Sequence, residues 1–234
     1  MDYKKIKVPF LNNKEIQSKV DLFRVKYWDK IIPIDMENII ELKLKIDIFP
    51  IPNLQNSFGM DAFIASNWNL IYIDELRFKD ERFQNRLRFS LAHEIGHFIL
   101  HKDIYNSFRI KSIDDFYKWH NQIPQEQYSY LETQANKFAN YLLVPKDNLI
   151  IEKDKALKLI KNKSIPIEKM DRGMINSYIS IFISKKFGVS EEVIQISLSN
   201  LDNNNLDVEN GKWEKVVDFT KIKKGGVDIN DMLK

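Results

Sequence analysis

The chain of 234 residues carries 36 basic and 33 acidic side chains, a formal net charge of +3. This near balance argues neither for nor against a nucleic-acid partner. The absence of cysteine excludes disulfides and every zinc site built on thiolate ligands. With 44% hydrophobic residues, a chain of this length can bury a core without a disulfide or a metal ion. Any metal site is therefore expected to be catalytic rather than structural.

The sequence contains neither a secretion signal nor a membrane-spanning segment that we can identify. No apolar run follows the charged residues at the N-terminus, as a signal peptide would require. No run of 18 apolar residues occurs, as a membrane-spanning helix would require. We therefore expect a cytoplasmic protein with no membrane partner.

Two helices and a small sheet are predicted in the first third of the chain. Apolar residues recur every three to four positions in residues 12–30, which predicts an amphipathic helix. Asp35 is expected to cap a second helix that ends near Leu44. Apolar runs predict three strands, at residues 45–49, 60–65 and 70–74. The segment between the last two suits a hairpin turn.

The next predicted helix carries a metal-binding motif, with Asp80 as its expected N-cap. Residues 93–97 read H-E-x-x-H, which places His93 and His97 on one face of a helix, where both can bind one metal ion. Glu94 follows His93 directly and is close enough to activate a water at that metal. A core stripe is predicted on another face, formed by Phe83, Leu87, Leu91, Ile95 and Phe98, so that the helix buries this face in the core and presents the histidines to a cleft.

Two further residues of this helix have predicted roles. His93, His97 and His101 span about 12 Å of helix axis, whereas a zinc ion binds its ligands at about 2 Å. His101 is therefore predicted to hydrogen-bond beneath the site rather than to bind the metal. Gly96 inside a helix suggests that another backbone passes close by, and we expect the sheet edge or a substrate strand.

The remaining chain is predicted to be helical. Helices are expected at residues 113–120, 125–144, 147–161 and 172–187, and another begins at Ser190. A loop is expected at residues 203–205. We predict one domain over residues 1–200, with N-terminal helices and a C-terminal helical hairpin, and a charged tail over residues 201–234.

A third metal ligand is expected from the helix at residues 125–144. Catalytic zinc sites usually have three protein ligands and one open position. Glu132 lies at the edge of this helix's core stripe, and the small residues Ala135 and Ala139 permit close approach to the motif helix. Its carboxylate could complete a site with two histidines and one glutamate.

Two sequence blocks carry a family resemblance. R-F-S-L-A-H-E-I-G-H-F-I-L-H at residues 88–101, followed by E-T-Q-A-N-K-F-A-N-Y-L-L-V-P at residues 132–145, resembles the ImmA/IrrE family of metallopeptidases. Residues 59–64 and 71–74 also look like the strands that precede the metal helix in that family. Known members are gluzincin-like zinc proteases that cleave repressors carrying a helix-turn-helix domain.

The resemblance implies a fold, a site and a substrate class. The implied fold class is α+β, a zincin-like metallopeptidase in which a sheet of at least three strands packs against the motif helix and a second ligand-bearing helix, with more helices following. The implied site has Zn²⁺ bound by His93, His97 and Glu132, with Glu94 as the catalytic base. The implied partner is an intracellular helix-turn-helix repressor.

Several alternatives stay open at this point. Tyr105, His120, Tyr128 and Tyr130 are possible oxyanion donors by residue type, and Asn136 is either a support for a ligand or an ordinary polar residue. Co, Ni and Cu compete with zinc at such a donor set. The protein could also bind a repressor or antitoxin without cleaving it. Residues 175–198 could form a DNA-reading helix-turn-helix, although we expect an ordinary helical hairpin and no direct nucleic-acid binding.

Overall fold

The computed structural model describes residues 3–108, 113–162 and 169–210. Short 3₁₀ turns lie at Tyr3–Lys5 and Glu81–Phe83. The strands are β1 Asp47–Ile51, β2 Ala62–Ile64 and β3 Leu70–Asp74. The helices are α1 Asn13–Tyr27, α2 Met36–Asn38, α3 Leu54–Phe58, α4 Glu75–Lys79, α5 Gln84–Leu100, α6 Lys102–Phe108, α7 Ile113–His120, α8 Gln125–Leu143, α9 Lys146–Asn162, α10 Arg172–Phe187 and α11 Glu191–Asn210. Among the helices described, none combines the length and apolar character needed to cross a membrane.

The three predicted strands form one mixed sheet in the order β1-β3-β2. β1 pairs in parallel with β3, and β2 pairs antiparallel with β3 through the predicted hairpin. Ala65 N donates to Leu70 O at 2.9 Å and closes that hairpin. β2 therefore lies at an edge of the sheet, next to α5.

The motif helix α5 is more deeply enclosed than its sequence stripe predicts. Leu87, Leu91 and Ile95 are buried as expected, but every residue from Ser90 to His97 is buried as well. The reason is that β2 packs against one side of α5 and α8 against another. The predicted separation into a core face and an open cleft face is therefore wrong for the middle of this helix.

Gly96 marks the closest approach between α5 and α8. A Cβ atom at this position would lie 3.0 Å from both the Cα and the carbonyl oxygen of Ala135, and 3.2 Å from the Cβ of Phe138. A second backbone does pass close to Gly96, but it belongs to α8 and not to the sheet edge or a substrate strand. The small side chain of Ala135 allows this contact.

Helix ends differ from the predictions at three places. Asp80 caps the 3₁₀ turn before α5, by accepting from Arg82 N, and not α5 itself. Asp35 does cap α2, but α2 has only three residues and continues as a π turn over Ile39–Lys43. The predicted loop at residues 203–205 is wrong because α11 continues to Asn210. Extending an existing helix costs less than nucleating one, so poor helix formers are tolerated there.

The C-terminal hairpin of α10 and α11 covers one side of α8. Gly188 ends α10 at a φ of 60°, in the left-handed region that favours glycine. Asn140 on α8 donates to Val193 O at 3.2 Å and accepts from Ser197 Oγ at 3.2 Å. The predicted helical hairpin is thus present, and it supports the second ligand-bearing helix. The predicted boundary at residue 200 stays a prediction, and residues 211–234 of the predicted tail lie outside the described residues.

Candidate metal centre

Two histidines of α5 approach each other as their four-residue spacing predicts. Their Nε2 atoms lie 2.9 Å apart, and both side chains are buried. The two rings meet edge to face, with centroids 4.7 Å apart. His93 and His97 therefore direct the same ring atom to one point beside α5.

Glu132 on α8 reaches the same point. Its Oε2 lies 3.4 Å from His93 Nε2, and its Oε1 lies 3.4 Å from His97 Nε2. One ligand atom from each of the three residues falls within 4.8 Å of the others. Glu132 is 21% exposed, so the cluster opens toward solvent on the carboxylate side. The structure thus brings together all three residues predicted as ligands.

The chemistry of these donors fits a divalent metal ion. Two imidazole nitrogens and one carboxylate form a donor set typical of catalytic zinc. His93 Nδ1 lies 2.8 Å from Asn136 Oδ1. Because an amide oxygen only accepts, His93 carries its proton on Nδ1 and has a lone pair on Nε2. Of the two interpretations of Asn136, the structure favours support of a predicted ligand.

His101 lies on the other side of His97, away from the cluster. Its Nδ1 is 3.0 Å from His97 Nδ1, and its Nε2 is 3.0 Å from Gln134 Oε1. This agrees with the predicted hydrogen-bonding role beneath the site. Burial and, to a smaller extent, the neighbouring His97 lower the pKa of His101 to about 3. Burial also lowers the pKa of His97.

Glu94 is held between α5 and the sheet. Its Oε2 accepts a hydrogen bond from Ile64 N at 2.9 Å. Ile64 belongs to β2, so the edge strand orients this carboxylate. The residue predicted to act as the base is therefore buried, and one of its oxygens has a backbone partner.

The structure separates the four candidate oxyanion donors. The hydroxyl of Tyr105 lies 3.3 Å from His97 Nδ1, on the side away from the cluster. Tyr130 donates to the exposed Glu126 at 3.1 Å. Burial raises the pKa of Tyr128 well above its ordinary value, and the charge of Glu132 and a hydrogen bond to that carboxylate add to the effect. Tyr128 and His120 thus remain as candidates near the cluster.

His120 lies on α7 beside Tyr128. The two rings meet edge to face with centroids 4.6 Å apart, and His120 also stacks on Phe116. Burial lowers the pKa of His120, whereas the negative charge of Glu132 raises it. Among the described residues, its buried Nδ1 has no hydrogen-bond partner. His120 therefore lies close enough to Glu132 to respond to its charge.

Sequence reasoning did not identify Gln134 as part of the site. Gln134 Nε2 donates to Pro9 O at 2.9 Å, while its Oε1 faces His101. The contact joins two segments that are 125 residues apart, and no local pattern signals it. It depends on how the N-terminal segment packs against α8.

The fold and the site define the class of protein, an α+β metallopeptidase of the zincin type. Comparison with protein families agrees with this class. The model of the peptidase M78 family, the IrrE N-terminal-like domain, matches residues 74–199, which is more than half of the chain. The chain belongs to this family, which confirms the resemblance to the ImmA/IrrE metallopeptidases. It matches none of the curated proteins with which it was compared.

Proposed function

We propose that this chain is a zinc-dependent endopeptidase that cleaves a cytoplasmic regulatory protein, a helix-turn-helix repressor, and so relieves repression of its genes. The observation that carries the proposal is the cluster of His93, His97 and Glu132 with Glu94 beside it. Membership of a metallopeptidase family supports the peptidase reaction. The repressor substrate follows from the family resemblance.

In this proposal, the three clustered residues would hold the metal ion, His93 and His97 through Nε2 and Glu132 through its carboxylate. A bound zinc ion would supply Lewis acidity, which lowers the pKa of water to about 7 and polarises a peptide carbonyl. Asn136 keeps the His93 ring in the orientation and tautomer that binding requires.

Glu94 is the general acid and base. The Ile64 amide holds one of its oxygens, which leaves the other to take the proton from the attacking water. Glu94 then returns that proton to the nitrogen of the leaving amine as the peptide bond breaks. The edge strand thus keeps the base in place through the reaction.

His120 donates the hydrogen bond that stabilises the oxyanion. A neutral imidazole has one N–H, and this role requires a donor close to the cleft. Tyr128 is already engaged with Glu132, which favours His120 over it. Phe116 and Tyr128 hold the His120 ring from two sides.

Co-expression with helix-turn-helix repressors tests the function directly. We expect a cut at one specific site in the substrate repressor. The Glu94→Gln variant should retain zinc and lose cleavage by about 100- to 10,000-fold, the usual contribution of a general base. A repressor that Glu94→Gln cuts as fast as the wild type would contradict the proposed mechanism. Binding without cleavage by the wild type would favour the alternative of a non-proteolytic regulator.

The structure of the C-terminal hairpin argues against the alternative of DNA binding. Ile194 and Leu198 of α11 are fully buried, which uses one face of this helix for packing. Glu191 and Glu192 are exposed at its start, where a phosphate would be approached. A salt-dependent affinity for duplex DNA would support this alternative.

A further inference from the structure

A series of polar contacts, buried except at Pro9, leads from His97 to the N-terminal segment. His97 Nδ1 lies 3.0 Å from His101 Nδ1, and His101 Nε2 lies 3.0 Å from Gln134 Oε1. Gln134 Nε2 then donates to Pro9 O at 2.9 Å. His101 is 1% exposed and Gln134 is 4% exposed, so water has little access to these contacts.

Pro9, at the far end of this series of contacts, determines which atom donates and which accepts in each hydrogen bond. Proline has no N–H, so Pro9 contributes only a carbonyl acceptor, and Gln134 must present its NH₂ group to it. The amide oxygen of Gln134 then faces His101 and accepts a proton from His101 Nε2. A buried, neutral His101 has one donor and one acceptor nitrogen, so its Nδ1 accepts from His97 Nδ1.

The same directions determine which nitrogen of His97 carries the proton. His97 carries its proton on Nδ1, and its Nε2 has a lone pair directed at the cluster. Two neighbours offer competing arrangements: the Tyr105 hydroxyl lies 3.3 Å from His97 Nδ1 and could donate to it, and the Glu132 carboxylate lies 3.4 Å from His97 Nε2 and could accept from it. In either arrangement the His97 proton would sit on Nε2, which could then no longer bind a metal ion.

We infer that Gln134 and His101 are positioning residues that hold His97 in its metal-binding tautomer, and that the N-terminal segment takes part in the metal centre by orienting Gln134. The inference rests on the proposed metal-binding role of His97. His93 is held in its tautomer by one hydrogen bond to Asn136. His97 is held through His101 and Gln134, whose orientation is set by Pro9.

The structure offers matched variants on α8. Gln134→Met removes the acceptor for His101 and the contact with Pro9. Gln134→Glu loses the donor to Pro9 but restores an acceptor for His101. Gln127→Met is the control, because Gln127 Oε1 also contacts the N-terminal segment, by accepting from Val8 N at 2.7 Å, but its hydrogen bond does not involve His101.

Zinc affinity, measured by chelator competition, separates these variants. We expect Gln134→Met to bind zinc about 10- to 100-fold more weakly, the usual effect of losing a partner behind a histidine ligand. Gln134→Glu and Gln127→Met should stay within about threefold of the wild type. Equal zinc affinity in Gln134→Met and the wild type would overturn the inference.

A second measurement needs no variant. ¹⁵N NMR of the metal-free protein distinguishes the two neutral tautomers of a histidine, and we expect His97 with its proton on Nδ1. A proton on Nε2 of His97 would overturn the inference. A wild-type protein that binds no zinc would instead contradict the proposed function, while the His97 tautomer would still test the inference.

Discussion

At the scale of single residues, the candidate centre depends most on Glu132. His93, Glu94 and His97 lie on one helix, and the spacing of that helix brings the two imidazoles together. Glu132 comes from α8 and approaches both imidazoles at 3.4 Å. Its position therefore reports whether the two helices pack as the site requires.

We predict that Glu132→Ala will lose its metal. The wild type should retain about one zinc ion per chain after dialysis, as expected for a site with three protein ligands. The variant, with two histidines remaining, should retain far less. Metal analysis of both proteins checks this, with Glu126→Ala as a control from the exposed face of α8. Unchanged zinc content in Glu132→Ala would contradict the assignment of the third ligand.

We predict that His120→Ala will slow cleavage while zinc stays bound. Loss of one oxyanion donor typically lowers kcat by about 100- to 1,000-fold. Steady-state kinetics with the repressor that the wild type cleaves, with zinc content measured in parallel, tests this role. Tyr130→Phe is the control, because the Tyr130 hydroxyl donates to the exposed Glu126 rather than to a residue of the cluster. A variant with wild-type kcat would remove His120 from the mechanism.

His101 gives the metal-free protein a predicted sensitivity to acid. The pKa of His101 is about 3 in the folded protein because of burial, and about 6.5 in an unfolded chain. Below pH 6.5 the unfolded chain therefore binds a proton that the folded protein does not. As the pH is lowered through this range, stability therefore falls by about 1.4 kcal/mol per pH unit for this one residue.

Urea unfolding of the metal-free protein between pH 7.5 and 5 measures this slope. His101→Gln cannot take up the proton, so its stability should fall less steeply than that of the wild type as the pH is lowered. Identical slopes would show that His101 is not held neutral in the fold.

At the scale of elements, the contact between α5 and α8 decides the geometry of the site. Gly96 allows the two helices to approach until a Cβ would meet the backbone of Ala135. Asn140 on α8 is in turn held by α11. The position of Glu132 thus depends on packing along the whole length of α8.

We predict that Gly96→Ala will destabilise the protein by up to about 2 kcal/mol. The new methyl group forces α8 away at a cost of about 1–3 kcal/mol, and the gain of about 1 kcal/mol that alanine brings to a helix offsets part of this cost. Gly173→Ala is the matched control, since its Cβ would meet only the Asp171 side chain at 3.2 Å. Thermal unfolding compares the two. A Gly96→Ala protein as stable as the wild type would show that α8 moves at little cost.

At the scale of the whole molecule, the chain carries a large apolar core. The buried apolar residues run from Val8 to Leu201 within the described ranges. We therefore predict that the protein stays folded when a chelator removes zinc, with a lower Tm. Zinc at about 100 times its Kd should add about 2.7 kcal/mol of stability.

Circular dichroism with and without zinc tests this prediction. The folded spectrum should survive chelation, and the Tm should rise when zinc is restored. Glu132→Ala should show no such rise, which separates specific binding from a general effect of the ion. Loss of the fold on chelation would make the metal structural rather than catalytic.

The sequence by itself determined the local features of this protein. Helix periodicity places His93 and His97 on one face, short apolar runs mark the three strands, and Gly188 ends α10, because each depends on neighbours within a few residues. The order of the two motif blocks was sufficient to indicate the family. The same local reasoning excluded His101 from the metal cluster on distance alone.

Only the tertiary structure decided how distant segments meet. The partner of Gly96, the enclosure of α5 and the path from His97 to Pro9 all depend on packing between elements far apart in the chain. Side-chain contacts of that kind leave no periodic signal. The burial that lowers the pKa of His101 has the same origin, because the low dielectric around it comes from the folded molecule as a whole.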